Sequence, residues 1–115
     1  MAEKKRMSVS EFFNSFTISS EYVYYIFFTN NFKKDVKKCF KRNLDLEILL
    51  DVVKRLAKNE TLPEKYRVHK LDGYSQKSGM VMECHVQPDW LLIWVQNDNK
   101  LTLTLTDTGT HSDLF

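Results

Sequence analysis

A chain of 115 residues and 13.7 kDa has room for one small hydrophobic core and no more. Apolar residues at 43% and charged residues at 28% place it close to the globular norm and exclude the low-hydrophobicity composition of a disordered chain. A net charge of +2 excludes a uniformly basic nucleic-acid binder, although the charge is unevenly spread.

In chain order, residues 1–22 carry polar and aromatic side chains without sustained periodicity. They read as an N-terminal extension that need not be ordered, ahead of a single domain over 23–115. Lys4, Lys5 and Arg6 imitate the basic start of an export signal, but Glu11, Asn14 and Glu21 break up any apolar stretch behind them. The longest apolar run there, Tyr22–Phe28, falls far short of the roughly 20 residues that span a bilayer. No membrane association is expected, and the expected location is the cytoplasm. The same run is rich in aromatic and β-branched residues and stops at Thr29-Asn30-Asn31, which predicts a first strand followed by a helix cap at Asn31.

Phe32, Val36, Cys39 and Phe40 then recur at helical spacing, which sets Lys33, Lys34, Lys37, Lys38, Lys41 and Arg42 largely on the other face. Such a face meets RNA phosphates or an acidic protein partner, or simply faces solvent. The C-terminal third has the opposite bias, with Glu83, Asp89, Asp98, Asp107 and Asp113 against Lys100 alone. Leu46, Leu49, Leu50, Val53 and Leu56 predict a second helix, with Asn43 and Asp45 as breaker and cap. Cys39 and Cys84 allow one bridge at most, which suits a reducing compartment.

Beyond Pro63 the period changes from helix to strand. A polar loop over Leu71–Gly79 leads into Met80–Val86, where Glu83 and His85 share one face. Trp90–Val95 is continuously apolar, as in a strand buried on both sides, and Leu101–Thr106 alternates strictly. Asn97-Asp98-Asn99 supplies the turn between them. The predicted fold is α+β, an antiparallel helix pair packed on one face of a four-stranded antiparallel sheet. Met82 and Cys84 are assigned to the helix side, leaving Glu83 and His85 on the free face.

Three histidines, His69, His85 and His111, are the candidates for proton transfer near neutral pH. A zinc site from His69, Cys84, His85 and Asp89 fails on geometry, because adjacent Cys84 and His85 point to opposite faces of a strand. No Gly-rich phosphate loop, nucleophile elbow or H-E-x-x-H is present. Cleavage of RNA through its own 2′-OH suits the inventory better, since it needs a base, an acid and charge stabilisation but neither metal nor cofactor.

Taken together, His69-Lys-Leu71-Asp-Gly73, Glu83-Cys-His85-Val-Gln-Pro88-Asp89-Trp90 and Thr108-Gly-Thr-His111-Ser-Asp-Leu-Phe115 resemble the YafQ family of bacterial toxins in the RelE/ParE superfamily. The resemblance runs from about Ile26 to Phe115 and implies a RelE-like fold. It also implies the toxin of a type II toxin-antitoxin system, a metal-independent endoribonuclease (mRNA interferase) that inhibits translation by cutting mRNA in the ribosomal A site. Its implied partners are that ribosome and a cognate antitoxin. By resemblance His69 matches the general base, His111 the general acid, and His85 and Asp89 a supporting pair, while Trp90 and Phe115 match substrate-positioning aromatics. For Trp90 the plain alternative is packing in a central strand. The closing motif belongs to the nuclease branch rather than to gyrase-directed relatives. Two arginines of the family pattern are replaced here by Met82 and Asp107, and Lys77 is the only base in the longer loop before Glu83. Those departures support an alternative, a weak or inactive antitoxin-binding or RNA-binding module on the same fold.

Overall fold

The computed structural model describes residues 5–16, 19–71 and 79–115. In chain order its elements are α1 (Val9–Asn14), β1 (Tyr25–Phe28), α2 (Asn30–Lys41), α3 (Leu46–Ala57) and a 3₁₀ turn at Glu64–Tyr66. They continue with β2 (His69–Lys70), β3 (Met80–Gln87), β4 (Trp90–Asn97), β5 (Thr102–Gly109) and α4 (His111–Leu114).

Helix α2 starts slightly earlier than the sequence suggests: Thr29 is the cap, its Oγ1 accepting the Phe32 N–H at 3.0 Å. A cap of this kind is worth about 1 kcal/mol. The helix buries Phe32, Val36 and Cys39 and leaves Lys33, Lys34, Lys37, Lys38 and Lys41 exposed, as the spacing requires. Asn43, in the left-handed region at φ 64°, turns the chain, and Asp45 caps α3 by accepting the Glu47 N–H. Leu46, Leu49, Leu50, Val52, Val53 and Ala57 form the buried side of α3. The two helices do not form one self-contained pair; α2 lies chiefly against β5, while α3 touches α1, α2 and β3.

Among the described residues the sheet has five strands in the order β1-β5-β4-β3-β2 and is mixed, which corrects the expected four-stranded antiparallel arrangement. Strand β1 runs parallel to β5, with Tyr25 opposite Thr102 and Phe28 opposite Leu105. The added strand is β2, whose His69 and Lys70 pair with Glu83 and Met82. Periodicity identifies a strand but not its neighbour or direction, and two residues are too few to show any period.

Along β3, alternation places Met82, Cys84 and Val86 against the helices, where Trp90, Leu92, Trp94, Leu103 and Leu105 complete the main core. The opposite face carries Val81, Ile93 and Val95, covered partly by Leu71 and Leu114. Strand β4 is therefore buried on both sides from Trp90 through Val95. Cys39 and Cys84 are free thiols, and burial pushes them up to about 11 and about 12, which suits packing rather than reactivity.

The segment before β1 is built into this core over α1. Ser8 and Glu11 close a capping box, and Phe12 is fully buried. Its ring meets Phe13, Phe16 and Phe32 at centroid separations of 5.1, 5.2 and 6.4 Å. A helix of six residues is too short for periodicity to reveal it, and it persists through this aromatic packing.

Candidate active site

The histidines gather on the sheet face that the helices leave open, at the end where β2, the β3–β4 turn and the start of α4 come together. His69 lies opposite Glu83 in the β2–β3 ladder. Its Nε2 is 3.2 Å from Glu83 Oε1 and its Nδ1 is 2.6 Å from the Arg67 carbonyl oxygen. A carbonyl only accepts, so Nδ1 carries a hydrogen, and the contact at Nε2 needs a further proton shared with Glu83. Both ring nitrogens are thus committed. Glu83 is only 6% exposed, and its Oε2 has no hydrogen-bond partner among the described residues.

Two residues along β3, His85 is oriented differently. Its Nδ1 lies 3.2 Å from the Pro88 carbonyl oxygen, beside the irregularity in pairing after His85. With the hydrogen on Nδ1, the Nε2 lone pair is free, and no residue among those described engages it. The half-buried ring lines a cleft of about 690 Å³ together with Ile48, Lys65, Tyr66, Arg67 and Pro88.

His111 opens α4. Its backbone N–H and ring Nδ1 both meet Asp89 Oδ1, at 3.4 and 3.1 Å. These hydrogen bonds hold the Asp89 carboxyl below the usual carboxylate range. The ring centroids of His85 and His111 are 5.8 Å apart, with planes inclined at 53°. Thr110 caps α4 in a capping box with Asp113, whose Oδ2 also accepts from the Arg42 guanidinium. Gly109 allows this close fold, because a Cβ there would stand 3.0 Å from Asp113 Oδ2.

His85, Asp89 and His111 are therefore near neighbours and His69 stands beside Glu83, two residues before His85 on the same strand, but the other expected site residues divide. Trp90 is 1% exposed and its Nε1 donates to Thr108 Oγ1 at 2.9 Å, so it belongs to the core and offers no face to a substrate. Phe115 is 62% exposed at the rim of a second hollow, of about 350 Å³, that also touches Asp107 and Leu114. Lys77 falls outside the described residues. The five lysines of α2 stay exposed and form no ion pair among the described residues, whereas Arg42 is taken by Asp113. Met82 packs against the main core and Asp107 accepts from Asn31 Nδ2 at 2.6 Å, so neither position offers a cation.

Two residues of the site escape sequence reasoning as actors. Alternation puts Glu83 on the His85 face, but nothing in the sequence marks it as the partner of His69, because the two-residue β2 shows no period. Arg67 carries no sequence signal at all; its left-handed backbone, at φ 47°, is what aims its carbonyl at His69.

A family model described as the bacterial toxin of type II toxin-antitoxin systems, YafQ, matches residues 24–115. Over 89 residues the chain is 37% identical to the mRNA interferase toxin YafQ of Escherichia coli K12, a span of 76% of this chain and 91% of that protein. The fold is similar to a chain of the crystal structure of the E. coli DinJ–YafQ toxin-antitoxin complex, with a TM-score of 0.71, 36% identity and coverage of 81% of this chain and 98% of that one. A metal-bound toxin from Helicobacter pylori is similar to the same degree, with a TM-score of 0.70, 38% identity and coverage of 78% and 97%.

Proposed function

Because the chain belongs to the YafQ family of bacterial toxins of type II toxin-antitoxin systems, we propose that it is an mRNA endoribonuclease that cuts translated message in the ribosomal A site and thereby inhibits translation. A cognate antitoxin holds it inactive, and both partners meet it in the cytoplasm. The exposed lysines of α2 contact ribosomal RNA or the acidic arm of the antitoxin. What carries the reading is the pair His85 and His111, 5.8 Å apart between ring centres, each with Nδ1 fixed by an oxygen acceptor and Nε2 without a partner among the described residues.

A phosphodiester between two such imidazoles is poised for in-line transfer. His85 Nε2 takes the proton of the 2′-OH as that oxygen bonds to phosphorus, and the P–O5′ bond breaks as His111 Nε2 gives a proton to the departing O5′. The products are a 2′,3′-cyclic phosphate and a 5′-hydroxyl. Asp89 Oδ1 accepts from His111 Nδ1 and so fixes the ring with Nε2 turned to the departing oxygen. The part of general base thus moves from His69, whose nitrogens are committed, to His85, and the His69–Glu83 pair supports the cleft as a hydrogen-bonded unit. Two imidazoles supply both proton transfers, so no metal is called for in the proposal.

A second reading is favoured by one observation, the carboxylate of Asp107 where the family pattern has an arginine. It is a toxin scaffold that binds antitoxin and RNA but cleaves weakly. Primer extension on a reporter mRNA in a bacterial translation extract separates the two. Cuts at codon boundaries that need ribosomes and disappear in His111→Ala support the nuclease; wild-type signal equal to that variant supports the binding module.

A further inference from the structure

The two imidazoles move protons but leave the charge that builds on the non-bridging phosphate oxygens without a counter-charge. We propose, resting on the nuclease reading, that Arg67 supplies it, its guanidinium binding the scissile phosphate from the wall of the His85 cleft.

The chain has four arginines, and three are engaged elsewhere. Arg6 donates to the Phe40 carbonyl oxygen and lies 4.1 Å over the Phe40 ring; Arg42 is bonded to Asp113, and Arg55 to Asp51 at 3.0 Å. Arg67 is exposed, lines the same cleft as His85, and its guanidinium has no partner among the described residues. Lys65, on the same wall, is drawn over the Tyr66 ring at 5.2 Å and adds a point charge rather than a fork.

The backbone at Arg67 is held in a conformation that non-glycine residues seldom adopt. Its N–H donates to the Glu64 carbonyl oxygen at 2.9 Å, and its own carbonyl accepts from His69 Nδ1. Left-handed residues of this kind gather where surrounding structure imposes them, often at functional sites. Arg67 therefore has two separable duties. The main chain fixes His69, while the side chain is left free to meet a planar pair of phosphate oxygens in bidentate fashion.

The separation makes the test. Asn tolerates the left-handed region, so Arg67→Asn removes the guanidinium and keeps the turn that holds His69. Single-turnover cleavage of ribosome-bound mRNA is measured over a toxin concentration series for wild type, Arg67→Asn, Arg67→Lys and His111→Ala. The expected result is a fall in the maximal rate of about 10²- to 10³-fold in Arg67→Asn, with half-saturation little changed and Arg67→Lys recovering part of the loss. A maximal rate for Arg67→Asn within about threefold of wild type overturns the role of Arg67 alone. A change confined to half-saturation overturns it as well, by making Arg67 a general RNA contact. Wild-type cleavage no faster than His111→Ala overturns the nuclease reading and this inference with it.

Discussion

Arg42 Nη1 donates to Asp113 Oδ2 at 2.5 Å, and this contact joins the residue just past the basic helix to the capping box of the helix that His111 opens. The same carboxylate oxygen accepts from Thr110 N and Oγ1 at 3.0 and 3.1 Å. The position of the proposed acid is thus set by α2 as much as by its own strand. Arg42→Gln is expected to slow cleavage roughly 10- to 100-fold by loosening His111, while ribosome binding changes little. Rate and binding measured on one preparation check it, and equal losses in both would make Arg42 an RNA contact instead.

The Asp113 carboxyl is held at about 2, first by the Thr110 backbone N–H and then by Arg42. A carboxyl depressed in the folded state contributes stability above its ordinary value near 3.8, and that contribution is lost as pH falls through about 2. Asp89 and Asp98 are shifted in the same direction and titrate in either background. Thermal unfolding followed from neutral pH downward should therefore fall more steeply below about pH 4 in wild type than in Asp113→Asn. Parallel curves would remove Asp113 from the acid response.

Substituting the two proposed proton carriers is expected to lower cleavage by about 10²- to 10⁴-fold in His85→Ala and in His111→Ala, with the double variant little worse than either. Primer extension with quantified product gives the rates. His69→Ala is the informative contrast. It removes the partner of buried Glu83, so it is expected to lower thermal stability as well as rate, which neither of the other two should do.

Trp90 separates packing from recognition. Trp90→Ala should destabilise the fold by about 3–5 kcal/mol, a cost typical of emptying a large core site. Trp90→Phe keeps most of the volume but leaves Thr108 Oγ1 without the indole donor, and should cost about 1–2 kcal/mol. Denaturant unfolding measures both. The folded fraction of Trp90→Phe should cleave like wild type, since the ring has no access to RNA.

Reversing charge on the exposed helix face, as in Lys34→Glu with Lys37→Glu and Lys41→Glu, should weaken ribosome binding and flatten its salt dependence. These side chains are clear of the core, so the melting temperature should stay near that of wild type. A lost interaction with antitoxin but not with ribosomes would assign the face to the protein partner alone.

Legibility tracks the range of the forces involved. Helices α2 and α3 and strands β3, β4 and β5 are readable because their burial repeats every few residues, as with Phe32, Val36 and Cys39 or Leu103 and Leu105. The free face of His85 is readable from alternation for the same reason. Strand β2 and the direction of β1 depend on partners many residues distant, and α1 depends on rings supplied by β1 and α2. The histidine site is reachable only through its resemblance, since His85 meets His111 and His69 meets Glu83 by folding. The proposed division of labour among the histidines rests on the hydrogen bonds, because only these distinguish an occupied imidazole nitrogen from an open one.

The parallel pairing of β1 with β5 has a consequence for biosynthesis. Tyr25 finds its ladder partner only at Thr102, so a growing polypeptide carries an unmatched β1 edge until translation has passed that point. Any nascent or prematurely terminated product that stops short of β5 lacks the strand's neighbour and His111 together. Such a fragment cannot bring His111 to His85.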